Sequence, residues 1–181
     1  MPISPKCTYV SRSKNIQGRE IILHITQHDK ITEITVKYAS TNFIHRQLVT
    51  LSASALFIHI LMVFQFINLT VFINILCLLI FYGYILLTSV HFEKVIIVEN
   101  LGYQFEEHYN YGRSVRFVSW DNVKSVFINE VLSKQRVLYI LAVLVSDDTK
   151  TVNNIIPLFK KIMPRLQCLE FIYRHIEHLH N

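Results

Sequence analysis

The sequence predicts an α+β membrane protein: a two-helix transmembrane hairpin followed by an antiparallel β domain with a C-terminal helix. Three observations carry that expectation. From Gln47 to Phe92 the chain runs 46 residues without an Asp, Glu, Lys or Arg. After that stretch the pattern turns to short segments rich in β-branched and aromatic residues, separated by turn signals. The tail then reads as one amphipathic helix.

The uncharged stretch is too long for one crossing. A hydrocarbon core about 30 Å thick takes roughly 20 helical residues, so two crossings and a very short turn fit. The expected helices are Leu48 to Ile67 and Val71 to Val90, joined by Asn68-Leu-Thr70, which matches the glycosylation sequon but reads as a helix turn at the bilayer surface. Arg46 and Lys37 precede the first helix, Lys94 follows the second, and the turn is uncharged, which places both flanks and both termini in the cytosol. His59, Gln65 and Asn74 lie in or near the spans, where unpaired polar groups are costly. They either face partner helices or pair within the hairpin. Met1 to Ile22 is mixed and polar, unlike a cleaved signal, so the first apolar helix is expected to direct targeting.

The organisation expected is therefore an N-terminal cytosolic segment (1–46), a transmembrane hairpin (47–92) and a cytosolic domain (93–181). In the first part, Glu20 to Thr26 and Ile31 to Tyr38 read as a β-hairpin about Gln27-His-Asp29, able to join the later sheet. In the last part, Lys94–Glu99, Tyr103–Glu106, Ser114–Val118 and Asn122–Ile128 make an antiparallel meander. Its turns are Asn100-Leu-Gly102, Asn110-Tyr-Gly112 and Trp120-Asp-Asn122. Val137–Val145 is continuously apolar and reads as a buried strand, and Asn154–Pro157 as one more. From Pro164 to His178, Leu166, Leu169, Tyr173 and Ile176 form a single helical stripe, with Pro164 suited to the first turn.

Composition narrows the function classes. Half of the residues are apolar, 17% are charged, and the net charge is +5. No clustered basic stripe with interleaved aromatics points to nucleic acid. An anionic membrane surface is the simpler partner for that balance, with Lys160, Lys161, Arg165 and Arg174 able to approach lipid phosphates. Cys7, Cys77 and Cys168 are far apart and odd in number, which suggests neither a disulfide framework nor a zinc site. His175, His178 and His180 lack a supporting carboxylate or cysteine and read as a solvated helix end. Glu99 and Glu107 share a spacing seen in some retaining glycosyltransferases, but no nucleotide-binding α/β domain surrounds them. Asp147-Asp148 reads as an acidic turn after a strand. Asn129 and Glu130 are the most tempting catalytic pair, and a lone carboxylate beside an amide at a strand end is more simply a contact element. No catalytic, cofactor-binding or metal-binding residue is therefore expected.

Strands followed by one capping helix is also the order of pleckstrin-homology-like domains, a likeness of architecture that leaves open a stand-alone lipid-binding module. A more specific likeness lies in the residues themselves. Asn100-Leu-Gly-Tyr103, Val126-Phe-Ile-Asn-Glu-Val131, Gln135-Arg-Val-Leu-Tyr139, Ile156-Pro-Leu-Phe159, and Pro164-Arg-Leu-Gln-Cys-Leu169 with Ile172-Tyr-Arg174 occur in order. Together they resemble the PIG-H family, one of the component families of phosphatidylinositol N-acetylglucosaminyltransferase. The resemblance covers nearly the whole C-terminal part, while the hairpin is similar only in placement and the first 40 residues show little likeness. It implies membership of the endoplasmic-reticulum complex that transfers N-acetylglucosamine from its UDP donor to phosphatidylinositol, the first step of glycosylphosphatidylinositol (GPI) anchor synthesis. In that family the PIG-H protein is an accessory component, bound to a separate catalytic glycosyltransferase subunit and other membrane subunits. Ile128, Asn129, Glu130 and Arg165 are the expected partner contacts. A catalyst in its own right remains the contrasting reading.

Overall fold

The structure, a computed structural model, describes residues 7–39, 42–63, 68–133, 135–146 and 154–180. The chain divides into two units. One is formed by Met1–Ala39, Val90–His108 and Arg113–Asn181, the other by Ser40–Ser89 with the Tyr109–Gly112 turn.

The first unit is mainly antiparallel sheet. Strands β1 (Cys7–Lys14), β2 (Glu20–His28) and β3 (Ile31–Tyr38) precede the helical segment, and β4 (Val90–Val98), β5 (Gly102–Tyr109) and β6 (Arg113–Ser119) follow it. All six join in one sheet in the order β1-β2-β3-β4-β5-β6. The join across the helical segment is the β3–β4 ladder, which runs from Ile31 opposite Val98 to Lys37 opposite Phe92. A 3-10 turn at Trp120–Asn122 leads into a second sheet of β7 (Val123–Ser133), β8 (Arg136–Val145) and β9 (Asn154–Leu158), ordered β7-β8-β9. Helix α3 (Leu166–His180) packs on β7 and β8.

The core follows from the period-2 alternation of the strands. Ile21, Leu23 and Ile25 of β2, Ile34 and Val36 of β3, and Val95 and Ile97 of β4 point inward in register and are buried. They share one cluster with Leu141 and Val143 of β8, Leu158 of β9, and Cys168, Leu169, Ile172 and Ile176 of α3. Burying a side chain of this size stabilises by about 1.5–3 kcal/mol, so the N-terminal strands are held by the rows they share with β4 and α3.

The second unit contains α1 (Asn42–Val63) and α2 (Leu69–Leu87). They pack antiparallel, since Gly83 late in α2 faces Leu51 early in α1, where an added Cβ would lie 4.0 Å from the leucine methyl. Asn68 takes the N-cap position of α2.

The expected architecture of a two-helix transmembrane hairpin followed by a pleckstrin-homology-like domain is overturned. Among the described residues one helix, Leu69–Leu87, is long and apolar enough to cross a membrane, with a mean hydropathy of 2.3 over its best 18-residue window. Among the described residues the apolar helix within α1 is Val49–Leu61, and at 1.5 Å per residue that stretch reaches about 20 Å of the roughly 30 Å needed. Absence of charge is not the same as apolarity: Asn42, His45, Arg46 and Gln47 occupy the first turns of α1, and Thr50, Ser52, Ser54 and His59 interrupt the rest. The β part likewise is not a module that begins after the helices. Half of its larger sheet comes from before them, because the inward rows of β2 and β3 would otherwise face water. The expected N-terminal β-hairpin is present and pairs with β4.

One glycine is fixed by its surroundings. Gly102 has φ +150°, and a Cβ there would lie 2.2 Å from the Val118 carbonyl oxygen and 2.9 Å from the Phe117 ring. Gly102→Ala is expected to destabilise the fold by about 1–3 kcal/mol through backbone strain and overpacking at the β5–β6 ladder. Chemical denaturation of the detergent-solubilised chain measures this, and an unchanged midpoint would show that the ladder yields easily at this point.

Candidate functional site

The most organised polar site is a clamp that grips the segment between β9 and α3. Glu93 opposes Val36 in the β3–β4 ladder and shares the inward row with Val95 and Ile97. That phase forces a carboxyl group into the core, where it is only 4% exposed. Its Oε1 accepts the backbone N–H groups of Lys161 and Ile162, at 2.8 and 2.9 Å. Asn15 grips the same segment from the β1–β2 turn. Fully buried, its Nδ2 donates to the Ile162 carbonyl at 3.0 Å while its Oδ1 accepts the Arg19 N–H at 2.8 Å. The Ile16 N–H adds a bond to the Met163 carbonyl, and Arg165 Nε donates to the Asn15 carbonyl at 3.3 Å.

The segment needs such a grip. Phe159 and Met163 both adopt positive φ, 52° and 53°, which costs non-glycine residues of order 1–3 kcal/mol each. The Met163 N–H closes the bend on the Phe159 carbonyl at 2.9 Å. Phe159 and Ile162 are buried beneath it, and the exposed Lys160 and Lys161 are displayed on its outside.

The electrostatics of Glu93 are a contest between burial and hydrogen bonding. Burial disfavours the charge most, the two N–H donors favour it, Glu107 opposes it and Lys161 favours it; the sum pushes the carboxyl up from its ordinary 4.5 to about 7. With its oxygen already engaged by two backbone donors, Glu93 fits a structural role better than that of a proton-transfer group.

A second polar row crosses the other face of the large sheet. Lys94 pairs with Glu33 at 2.9 Å. Glu106 receives Gln104 and lies 3.0 Å from His108 Nε2, and that hydrogen bond, followed by lesser contributions from Gln104 and Lys94, holds its carboxyl below the usual range. His108 stacks on Phe92 at 4.1 Å between ring centroids. A Glu–His couple is a unit that acid–base chemistry uses, but here it is a neighbour pair along one strand, with no nucleophile hydrogen-bonded to it among the described residues.

The residues singled out in the sequence are spread over the fold. Ile128, Asn129 and Glu130 lie on the edge strand β7, opposite Leu141, Ile140 and Tyr139. Ile128 packs against the core, and Asn129 and Glu130 are exposed. Arg165, also exposed, belongs instead to the clamp through Asn15. Glu99 sits at the β4–β5 turn and Glu107 near the far end of β5, roughly 16 Å along the strand from its start. His175 bonds the Phe171 carbonyl within α3 at 2.9 Å. No group of three or more His, Cys, Asp or Glu suited to a metal occurs among the described residues. Asp147 and Asp148 lie outside the described residues, as do Gln65 and the side chain of His180. Asn15 and Glu93 are the site residues that sequence reasoning misses. For Glu93 a signal exists, since it falls in phase with Val95 and Ile97, whereas Asn15 in a polar turn carries none.

The fold and this site define a β-rich scaffold with an apolar helical segment between two strands of its sheet and an internal polar clamp. Residues 94–160, from β4 to the clamped bend, match the family described as GPI-GlcNAc transferase complex, PIG-H component. Three relatives agree, each named as the H subunit of phosphatidylinositol N-acetylglucosaminyltransferase. The Mus musculus protein is 36% identical over 108 residues, covering 58% of this chain and 56% of the relative. The Bos taurus and Homo sapiens proteins are 33% and 32% identical over 112 residues, covering 60% of this chain and 58% of each relative. The chain thus spans somewhat over half the length of the curated relatives it matches. No solved structure gives a significant match. The PIG-H resemblance read from the sequence is borne out over the matched stretch.

The clamp has a pH signature. A carboxyl raised from 4.5 to about 7 on folding contributes stability that is fully present below 4.5 and is lost as pH rises through 7. Glu93→Gln keeps an acceptor for both N–H groups and has no charge to bury. It is expected to remove this loss, flattening denaturation midpoints between pH 4.5 and 7. Glu93→Ala should instead destabilise across the whole range, by about 1–3 kcal/mol for each orphaned N–H. An unaltered pH slope in the glutamine variant would mean that Glu93 does not titrate there.

Proposed function

We propose that this chain is a membrane-attached, non-catalytic subunit of the complex that transfers N-acetylglucosamine from UDP-N-acetylglucosamine to phosphatidylinositol, the first step of GPI-anchor biosynthesis. The observation that carries the proposal is the PIG-H match over 94–160, joined by the names of the three relatives. A non-catalytic role is supported by what the best-formed polar site does: its carboxylate and amide are consumed in holding backbone. The partners on this reading are a separate catalytic glycosyltransferase subunit, further membrane subunits, and lipid of the endoplasmic reticulum.

The membrane placement rests on α2. All of α2 except Leu86 is exposed or half-exposed, including Leu78, Ile80 and Phe81 at 63–67%, which is the condition of a helix solvated by lipid. Lys37 and Lys94 lie on the strands that flank the helical segment, a charge placement that supports a cytosolic position for that part of the chain.

Partner contact falls on β7 and the start of α3. Among the described residues β7 is the outer strand of its sheet, with β8 on one side, a form of surface that partners extend by strand addition. It presents Asn129, Glu130 and Leu132, the last 82% exposed. Capture of the tagged chain from membranes should bring down a glycosyltransferase subunit. Replacing Ile128–Glu130, or charge-reversing Arg165, should lower that capture several-fold and leave membrane insertion intact. Full recovery of the complex with either variant would remove those residues from the interface. The purified chain alone is expected to give no turnover of UDP-N-acetylglucosamine with phosphatidylinositol, and robust turnover would overturn the non-catalytic assignment.

A further inference from the structure

The end of α2 is finished by a turn that comes from far along the chain. The last carbonyls of a helix have no partners within it, and three of them here are satisfied in three ways. Thr88 Oγ1 donates to the Tyr84 carbonyl at 3.0 Å and approaches that of Ile85 at 3.2 Å. Ser89 Oγ donates to the Leu86 carbonyl at 2.8 Å. Asn110, in the β5–β6 turn, donates its Nδ2 to the same Leu86 carbonyl and to Ser89 Oγ, both at 2.7 Å, and its backbone N–H to the Ser89 carbonyl at 3.1 Å. The turn is closed by the Tyr109 N–H on the Gly112 carbonyl at 3.1 Å, with Gly112 at φ +89°.

This clasp fixes the height of Tyr111 relative to the helix. Tyr111 follows Asn110 directly and is 85% exposed, the highest exposure among the large apolar and aromatic side chains of the described residues. Tyr84, 64% exposed, projects from the last turn of α2, and Arg113 follows the clasped turn. Tyrosine with its ring in the apolar boundary and its hydroxyl in water, beside a cationic side chain, is the chemistry of the membrane–water interface.

We propose that the Tyr109–Gly112 turn is an interfacial anchor, clasped to the end of α2 by Asn110 so that Tyr111 is seated among phospholipid headgroups. The occupant is the bilayer itself, because the turn continues the exposed apolar surface of α2 at the point where that surface ends in Thr88, Ser89 and Asn110. The anchor rests on the membrane placement of α2 proposed above, and it makes the Tyr109–Gly112 turn a second attachment to lipid besides that helix.

The test uses the full chain reconstituted in phosphatidylcholine vesicles, with Trp120→Phe as background so that one tryptophan reports. Tyr111→Trp is compared with Leu78→Trp in mid-α2, using lipids brominated either near the headgroup or near the bilayer centre. Tyr111→Trp should be quenched about two-fold more by the shallow bromines than by the deep ones, Leu78→Trp should show the reverse, and adding Asn110→Ala should abolish the shallow preference at position 111. Quenching of Leu78→Trp with none of Tyr111→Trp overturns the anchor and leaves the membrane helix standing, whether position 111 is then in water or against another protein. No quenching at either position overturns both.

Discussion

The β3–β4 ladder is the constraint on which the rest of this molecule depends. It ties Lys37 to Phe92 and Ile31 to Val98, so the whole helical segment is an insertion between two neighbouring strands. Without it, β1–β3 would be a three-stranded ribbon with its inward isoleucines and leucines facing water, and β4–β6 a second ribbon with the same defect. Closing a loop of that length by chain entropy alone is costly, and the cost grows only slowly with length. The antiparallel packing of α1 on α2 reduces it further by returning the chain toward its starting point. The stability of the sheet and the placement of the helices are therefore parts of one problem.

Glu93 shows what the ladder demands in return. The inward row of β4 continues past Ile97 and Val95 into a position where a bent segment leaves two N–H groups without secondary-structure partners. A buried acceptor resolves that deficit, and an unpaired N–H in its place would cost about as much as burying the acceptor. A carboxylate serves as acceptor but has to give up solvation, which is why its proton is held to about pH 7. Asn15, neutral and able to donate and accept at once, carries the other half of the grip without a charge. The matched family stretch ends at residue 160, and the clamp ties the segment just after it to Glu93 of β4 and to Asn15 of the β1–β2 turn.

Legibility in the sequence follows the range of the forces involved. The expected strands Ile31–Tyr38 and Glu20–Thr26 fall within two residues of β3 and β2 in the structure, because alternation is a local signal. β8 and α3 are legible nearly as well, since an apolar run and a helical stripe are local too. β1 is not: Cys7–Lys14 is an edge strand of mixed polar character and makes only one ladder, with β2. The membrane segment is over-read because a count of charges cannot distinguish Ser, Thr, His and Asn from Leu. The clamp escapes for another reason. Its bonds join residues 68, 69 and 147 positions apart, and no window along the chain contains both partners.

On the proposed reading as an assembly subunit, the polar groups of this protein divide into those that hold backbone and those displayed at the surface. The longest-range hydrogen bonds of the clamp, from Glu93 and Asn15, hold backbone. Among the described residues the displayed groups are peripheral: the outer side of β7, the lysines on the clamped bend, and Tyr111 beside the end of α2. Each is held by a stiff element at a defined place, as a docking surface has to be if contact is not to cost ordering entropy. A scaffold that fixes its interior polar groups and displays its exposed ones fits the assembly role proposed for this chain.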